Sequence, residues 1–176
     1  MDETIVSSRK IFKGRIVRLE VHEVRLSDGH LSKREMVHHP GAVAVVALDD
    51  EQNVLLVRQF RLGAGKVLYE IPAGTLNTGE TPEVCAAREL QEEAGYKPGK
   101  LEPLGGYYTA PGYTTEIIHI YLATDLSESR LQGDADEIIE VERVPLSRAL
   151  AMIEEGDISD GKTLVGLLRV ARRLGV

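Results

Sequence analysis

Cysteine is almost absent from the 176-residue sequence, in which Cys85 is the single example. One cysteine excludes an intrachain disulfide and is typical of a reducing compartment, so we expect a cytoplasmic protein. Long apolar runs are also missing, because the longest, residues 42–48, is too short to span a bilayer. The first ten residues, MDETIVSSRK, lack the apolar core of a secretory signal. The sequence therefore predicts a protein without a membrane partner.

The sequence also lacks an excess of positive charge. The chain has 21 basic and 28 acidic residues and a net charge of −7. This balance argues against nucleic acid as the main ligand, since phosphate backbones require clustered Lys and Arg. It suits a protein that binds divalent cations. With 43% hydrophobic residues, the chain is long enough for one α/β domain with a substantial core.

The segment R-E-L-Q-E-E-A-G concentrates carboxylates at helical spacing. Glu89, Glu92 and Glu93 are three and four residues apart, which places them on one face of a helix. Like charges at this spacing destabilise an isolated helix by a few tenths of a kcal/mol per pair, so we expect a bound cation. Ligation by oxygen alone favours Mg²⁺ or Mn²⁺ over zinc. The opposite face is predicted to pack on a core through Val84, Ala87, Leu90 and Ala94.

Residues on both sides of this segment predict a loop, a helix and a second loop. Thr81 is a good N-cap, and Pro82 suits the first helical position because its missing N–H would be unpaired there. Gly95 can take the left-handed conformation that ends a helix. Gly74 and Gly79 bracket the preceding loop, where the backbone can turn sharply and approach a ligand.

The remaining pattern is that of an α/β sandwich with an N-terminal antiparallel β extension at residues 1–40 and a main domain at residues 41–176. Asp28-Gly29 predicts a hairpin turn between the first two strands. The apolar run GAVAVVAL predicts a strand buried on both faces. The predicted strands are residues 16–26, 31–38, 41–48, 54–60, 67–71, 101–109, 116–123 and 138–144, and the later helices are residues 146–155 and 163–174.

Nine residues of the acidic segment match the signature G-x5-E-x7-R-E-U-x-E-E-x-G-U, where U is a large apolar residue. They are Gly74, Glu80, Arg88, Glu89, Leu90, Glu92, Glu93, Gly95 and Tyr96. A chance match is rarer than roughly one in 10⁸ per start position. A solvated charged helix would explain the carboxylates but not both glycines, Glu80 and Arg88 together. The chain thus resembles the Nudix hydrolases, which implies a mixed sheet between helices and hydrolysis of a nucleoside diphosphate linked to another group.

The resemblance also implies a ligand set for two or three Mg²⁺ ions, with Mn²⁺ as the alternative. These ligands are the Ala73 carbonyl, Glu89 and Glu93, with Glu70 or Glu92 in addition. Arg88 is expected to orient the glutamates through ion pairs.

The resemblance also implies that a carboxylate in the acidic loop 133–137 acts as general base. Glu137 is the first choice, followed by Asp134 and Asp136, while a signature glutamate such as Glu93 or Glu92 is the alternative. Relatives carry an acidic residue where this chain has Ala135, so the identity of the base stays open.

Outside the signature, the chain resembles the ADP-ribose pyrophosphatases, which implies conversion of ADP-ribose to AMP and ribose 5-phosphate. Pro111 stands 16 residues past Gly95, the spacing usual in that subgroup. Tyr113 lies near the tyrosine that marks diadenosine-polyphosphate hydrolases, so the spacing alone does not decide. The residues implied to contact the substrate are Arg34, Arg58, Arg61, Ile16 and Pro111.

Two other functions stay open at this point. One is a pyrophosphatase for a nucleotide sugar such as GDP-mannose or an ADP-sugar. The other is a non-catalytic module that senses a nucleotide. The subgroup also implies a homodimer in which N-terminal strands exchange between protomers, although residues 16–26 could equally pair within their own chain.

Overall fold

The computed structural model of the chain describes residues 2–133 and 138–176. Helix α1 (Pro82–Glu89) continues directly into one π-helical turn, Leu90–Ala94. In chain order the elements are β1 (Glu3–Lys13), β2 (Arg18–Leu26), β3 (Leu31–His38), β4 (Ala42–Ala47), β5 (Asn53–Arg61), β6 (Lys66–Glu70), β7 (Ala73–Thr75), α1 (Pro82–Glu89), β8 (Tyr96–Tyr108), β9 (Ile117–Glu128), β10 (Ile139–Pro145), α2 (Leu146–Glu155) and α3 (Gly161–Leu174).

The chain folds into two compact units. The N-terminal unit comprises Met1–Gly41 and Tyr108–Ile117, and the main unit comprises Ala42–Tyr107 and Ile118–Val176. The N-terminal unit is built on an antiparallel sheet with the order β1-β2-β3. Its second hairpin turns at Gly29, whose φ of +90° suits glycine because this residue has no Cβ to clash.

The main unit contains two sheets. One has the order β7-β4-β9-β8, and β4 runs parallel to β9 but antiparallel to β7, so this sheet is mixed. The other has the order β10-β5-β6 with antiparallel pairs throughout. These sheets bring the loop before α1 next to the central strand β4.

The core of the main unit lies on both sides of β4, whose residues 43–47 are all fully buried. Alternate side chains point in opposite directions along a strand, so Ala44 and Val46 join one apolar cluster while Val43 and Val45 join another. The first cluster includes residues of α2 and α3, and the second includes residues of α1. The predicted α/β/α sandwich and the doubly buried strand are therefore confirmed.

Most element boundaries agree with the sequence prediction, and α2 spans the predicted residues. Strands β1 and β7 are additional to the predicted set, and β8 begins five residues before the predicted residue 101, at Tyr96. Strand β1 was not predicted because its sequence, ETIVSSRKIFK, lacks the alternation of polar and apolar residues that marks a half-buried strand. All eleven of its residues are exposed. Within the described ranges, every helix is too short or too polar to traverse a bilayer.

Candidate active site

Helix α1 begins and ends as its local sequence predicts. The Thr81 side chain accepts a hydrogen bond from the Val84 N–H at 3.4 Å, and Pro82 occupies the first turn. The π-helical turn ends at Gly95, which has φ of 78° and donates its N–H to the Leu90 carbonyl. A single π turn is a rare insertion that is frequently found at functional sites. Here it contains two of the three predicted carboxylates.

The buried face of α1 and the π turn includes Leu90 and Ala94, as predicted, but it does not include Val84. Cys85 and Ala86 are fully buried together with Leu90, whereas Val84 is 59% exposed. Glu89 and Glu93 also lie on the inner side of the helix, where they are only 9% and 5% exposed. The prediction that Val84 packs on the core was therefore wrong.

Strand β7 lies directly against these two carboxylates. The Ala73 N–H donates a hydrogen bond to Glu93 Oε2 at 2.9 Å. A Cβ added at Gly74 would overlap the carboxylate of Glu89, so only glycine allows this approach. Ala73, Glu89 and Glu93, which the sequence predicted as metal ligands, are thus brought together at one place.

Arg88 binds three glutamates of the signature. Its Nε and Nη2 donate to the two oxygens of Glu80 at 2.8 and 2.9 Å. Its Nη1 donates to Glu89 Oε1 and to Glu92 Oε2, both at 2.7 Å. The paired guanidinium lowers the pKa of Glu80 from 4.5 to about 2. Arg88 therefore fixes the positions of glutamates on the helix and on the preceding loop, as an orienting residue would.

Around this guanidinium the negative charges outnumber the positive ones. Glu80, Glu89 and Glu92 share one Arg88, and Glu93 lies one residue further along the helix. Buried like charges repel strongly in a medium of low dielectric constant. The possible metal ligands in this cluster are carboxylate and backbone oxygens, which are the ligands that a hard divalent cation such as Mg²⁺ prefers.

Glu70 lies in a separate ion-pair cluster that the sequence did not fully predict. Its carboxylate, only 1% exposed, accepts two hydrogen bonds of 2.7 Å from Arg61 Nε and Nη2. Lys162 also donates to Glu70, and it pairs with Asp160 at 3.1 Å. Burial raises the pKa of Glu70, but the contacts with Arg61 and Lys162 outweigh it and lower the pKa below 4.5.

Lys162 was missed because it is 92 residues from Glu70, and no local spacing rule connects two such residues. The cluster lies close to the signature carboxylates, since the charge of Glu93 contributes to the raised pKa of Arg61. Arg61 uses two of its five N–H donors on Glu70, which leaves the guanidinium able to bind a second anion.

Arg58 has different partners. It donates to Glu140 at 2.9 Å, lies 3.5 Å from Glu142, and stacks 5.5 Å from the centre of the Tyr69 ring. Arg58 and Arg61 are three residues apart in β5, so they point to opposite faces of the strand. The structure does not bring these two predicted substrate residues together.

The other predicted substrate residues belong to the N-terminal unit. Arg34 donates to Glu3 at 3.0 Å, Ile16 is exposed between β1 and β2, and Pro111 is exposed in the turn between β8 and β9. The candidate general base Glu137, and Asp134 and Asp136 behind it, lie outside the described residues. Their roles stay predictions.

The Cys85 thiol lies beneath this site and is unreactive. Its side chain is buried below Arg88, whose Nη2 lies 3.2 Å from Sγ. Burial raises the pKa of the thiol to about 12, so it is protonated at neutral pH and cannot act as a nucleophile.

Two family models match the chain, one at the N-terminal sheet and one over the segment that contains the acidic cluster. The family model described as "NUDIX domain" matches residues 38–164. The model described as "Nucleoside diphosphate sugar hydrolase N-terminal domain" matches residues 3–37. These two matches together cover the segments that contain the acidic cluster and the N-terminal sheet.

Three proteins from bacteria are similar to this chain. The ADP-ribose pyrophosphatase of Bacillus subtilis (strain 168) is 44% identical over 165 residues, 93% of this chain and 89% of that protein. The methanol dehydrogenase activator of Bacillus methanolicus is also 44% identical, over 94% of this chain and 91% of that protein. The GDP-mannose pyrophosphatase of Citrobacter koseri is 40% identical over 71% of this chain and 70% of its own length.

A solved structure shares the fold over almost the whole chain. The crystal structure of an ADP compounds hydrolase superposes with a TM-score of 0.89, at 25% sequence identity, and covers 99% of this chain and 95% of that one.

Proposed function

The chain belongs to the Nudix family and is a pyrophosphohydrolase that cleaves nucleoside diphosphate compounds, and on that basis we propose that it converts ADP-ribose to AMP and ribose 5-phosphate with Mg²⁺. One observation carries the proposal: the buried carboxylates of Glu89 and Glu93 lie against the backbone of Ala73 and Gly74. A diphosphate is itself strongly negative, so it can approach such a site only with cations.

The proposed ligands are the Ala73 carbonyl, Glu89 and Glu93, with Glu92 or Glu70 completing the set. Mg²⁺ held there would neutralise the diphosphate and lower the pKa of a bound water, and Mn²⁺ offers the same chemistry. Arg88 fixes the rotamers of Glu89 and Glu92, which supports a defined coordination geometry. Glu70 would join only by giving up a contact with Arg61 or Lys162.

A carboxylate must take the proton of the attacking water. We propose Glu137 for this role, with Asp134, Asp136 and the signature residues Glu93 and Glu92 as alternatives. In-line attack at phosphorus then depends on positioning and on charge stabilisation. Arg61, next to the signature cluster and already oriented by Glu70, would bind the phosphoryl oxygens.

Similarity to the Bacillus subtilis ADP-ribose pyrophosphatase supports the proposed substrate, with Arg34, Arg58, Ile16 and Pro111 as further contacts. A nucleotide-sugar pyrophosphatase acting on GDP-mannose or an ADP-sugar is the second candidate, favoured by the similarity to the Citrobacter koseri protein. A non-catalytic nucleotide sensor is the third. It is disfavoured because the chain retains every signature glutamate.

We further propose that residues 1–40 form an N-terminal extension to a Nudix domain at 41–176 and that the extension makes a homodimer. Strand β1 supports this, because its outward side chains include Ile5, Ile11 and Phe12, each about half exposed. Such an edge strand is a ready surface for pairing with a second copy. The single cysteine supports a cytoplasmic location.

The test is a substrate panel with a matched pair of variants. Purified protein is incubated with Mg²⁺ and ADP-ribose, ADP-glucose, GDP-mannose, diadenosine polyphosphates or NADH, and products are separated by chromatography. We expect ADP-ribose to give the highest kcat/KM, with AMP released. Chelation by EDTA should abolish turnover, and added Mg²⁺ should restore it.

Glu93→Gln should inactivate the enzyme, whereas Glu83→Gln, which changes an exposed carboxylate on the same helix, should leave turnover unchanged. A higher kcat/KM for GDP-mannose than for ADP-ribose would overturn the proposed substrate but leave the proposed metal site in place. Tight nucleotide binding without turnover of any compound would support the sensor instead.

A further inference from the structure

Two histidines and one glutamate converge on one face of the N-terminal sheet. Glu20 and His22 lie on β2, and His38 is the last residue of β3. In the strand register, Arg18 pairs with His38 and Glu20 pairs with Met36, so these even-numbered residues share a face. Glu20 and His22 are buried, and the His38 side chain is 28% exposed.

The distances within this group are too long for good hydrogen bonds. Glu20 Oε2 lies 3.3 Å from His38 Nε2 and 3.7 Å from His22 Nε2. Within the part of the chain that the structure describes, His38 Nε2 is shielded from solvent and has no hydrogen-bond partner. A buried polar atom in that position needs an explanation.

The 3.3 Å separation of Glu20 Oε2 from His38 Nε2 is that expected between two ligands of one metal ion, and the 3.7 Å separation from His22 Nε2 is slightly longer. Two donors, each about 2.0–2.1 Å from Zn²⁺ in a tetrahedral arrangement, are separated by about 3.3 Å. One donor atom from each of Glu20, His22 and His38 can be chosen so that all three lie within 4.8 Å of one another. Two imidazoles with one carboxylate form a recognised zinc ligand set that leaves a fourth position open.

Neighbouring residues orient the ligands as they do in known metal sites. Ser8 Oγ is 2.8 Å from His22 Nδ1, and Arg18 Nε is 2.9 Å from Glu20 Oε1. The Ser8 contact engages His22 Nδ1 rather than Nε2. Among the described residues, Arg18 Nε makes no aligned hydrogen bond, so it acts on Glu20 as a nearby positive charge at Oε1 rather than at Oε2. A metal-binding histidine coordinates through one ring nitrogen while the other carries the proton, and Ser8 Oγ is placed to accept a hydrogen bond from a protonated His22 Nδ1.

We propose that Glu20 Oε2, His22 Nε2 and His38 Nε2 bind one Zn²⁺ ion, with water at the exposed side next to His38. The site is separate from the carboxylate cluster and differs in chemistry, because imidazole nitrogen favours zinc whereas oxygen-only donors favour Mg²⁺. It connects β2 to β3, and through Ser8 it also fixes β1. Zinc would therefore stabilise the N-terminal sheet.

The test uses the full-length, metal-free protein in excess Mg²⁺, so that the carboxylate cluster does not compete for the added ion. Zn²⁺ is titrated by calorimetry, and Co²⁺ by its visible absorption. We expect one site per chain, a tetrahedral Co²⁺ spectrum and a raised melting temperature. His38→Ala should lose the site, whereas His30→Ala, which removes an exposed histidine from the same hairpin, should keep it.

A measurement on the wild-type protein removes any dependence on the folding of variants. In ¹H–¹⁵N spectra of the imidazoles, Zn²⁺ should shift the Nε2 resonances of His22 and His38 and leave those of His30 and His119 unchanged. The proposal is overturned if the wild type binds no Zn²⁺ in excess Mg²⁺, if His38→Ala binds it as tightly, or if other histidines shift instead.

Discussion

The backbone of Gly74 lies against the carboxylate of Glu89, so closely that any side chain at position 74 would overlap it. Gly74 and Glu89 are both fixed positions of the signature and lie 15 residues apart in sequence. This contact explains why a glycine at the first position accompanies a glutamate at the second. The glycine is required not for an unusual φ but for the space that the carboxylate occupies, because its φ does not lie in the left-handed region.

Gly74→Ala should remove most of the activity and little of the stability. The added methyl displaces the Glu89 carboxylate, and a misplacement of about 1 Å in a catalytic site can lower kcat/KM about 100-fold. Steady-state kinetics and thermal unfolding would be measured side by side. Gly63→Ala is the control, because a Cβ at position 63 meets open space. Full activity of Gly74→Ala would contradict a catalytic role for the Glu89 position.

The pairing of Glu80 with Arg88 predicts a pH dependence of stability. The pKa of Glu80 falls from 4.5 to about 2 on folding, so the folded protein binds this proton less readily than the unfolded chain. The stabilisation is therefore fully present above pH 4.5 and is lost as the pH falls towards 2. Urea unfolding of wild type and Glu80→Gln should give a difference that is constant near neutrality and shrinks in acid. A difference independent of pH would show that the ion pair is not its source.

Local sequence patterns predicted much of this site. The spacing of the glutamates, the Thr81 cap and the glycine at position 95 are all properties of a few consecutive residues, and the structure places them as expected. The burial of β4 on both faces could likewise be predicted from its own run of apolar residues, without knowledge of the neighbouring strands. These features could be predicted because the physical cause lies within one helical turn or one strand.

Features that depend on distant residues were not predictable in the same way. Lys162 reaches Glu70 across 92 residues, and His38 meets Glu20 only because the hairpin register places them on one face. His38 and His39 are adjacent in sequence but have different neighbours, since His38 Nε2 lies 3.3 Å from Glu20 Oε2 and His39 Nδ1 lies 3.5 Å from Glu116 Oε1. The outward position of Val84 was not predicted either, because the inner face of α1 is shared by Cys85 and Ala86 and by the buried carboxylate of Glu89.

Gly166→Ala should lower stability without changing the chemistry. Helix α3 approaches the sheet so closely that a Cβ at position 166 would lie 2.8 Å from Ile71 Cδ1 and 2.9 Å from Val46 Cγ2. Overpacking of this kind costs about 1–3 kcal/mol of the free energy of unfolding. Urea denaturation would measure the loss, with Leu168→Ala as the control because Leu168 is exposed on the same helix. An unchanged midpoint for Gly166→Ala would mean that the helix can move away at no cost.

Glu70→Gln should destabilise the protein more than Lys162→Met. The Glu70 carboxylate is the common acceptor of Arg61 and Lys162, so the neutral amide leaves two neighbouring cations without a balancing charge. Removing one partner of a fully buried ion pair costs about 3 kcal/mol, and the 37% exposure of the Arg61 side chain lowers this cost through solvent screening. Lys162→Met instead leaves Arg61 paired with Glu70 through both hydrogen bonds, and the loss should be smaller. Glu154→Gln, on the exposed side of α2, is the control.

Glu70→Gln and Lys162→Met also distinguish the effect of the ion-pair cluster on stability from its effect on substrate binding. Because the contacts with Arg61 and Lys162 lower the pKa of Glu70, their stabilisation is present above pH 4.5 and disappears as the pH falls below that value. The difference between wild type and Glu70→Gln in urea should therefore be largest near neutral pH. If Arg61 binds phosphoryl oxygens only when Glu70 orients it, Glu70→Gln should also raise KM for the diphosphate substrate, whereas Lys162→Met should change KM less. Equal effects of both variants on KM would show that the charge of the whole cluster, rather than the orientation of Arg61, determines substrate binding.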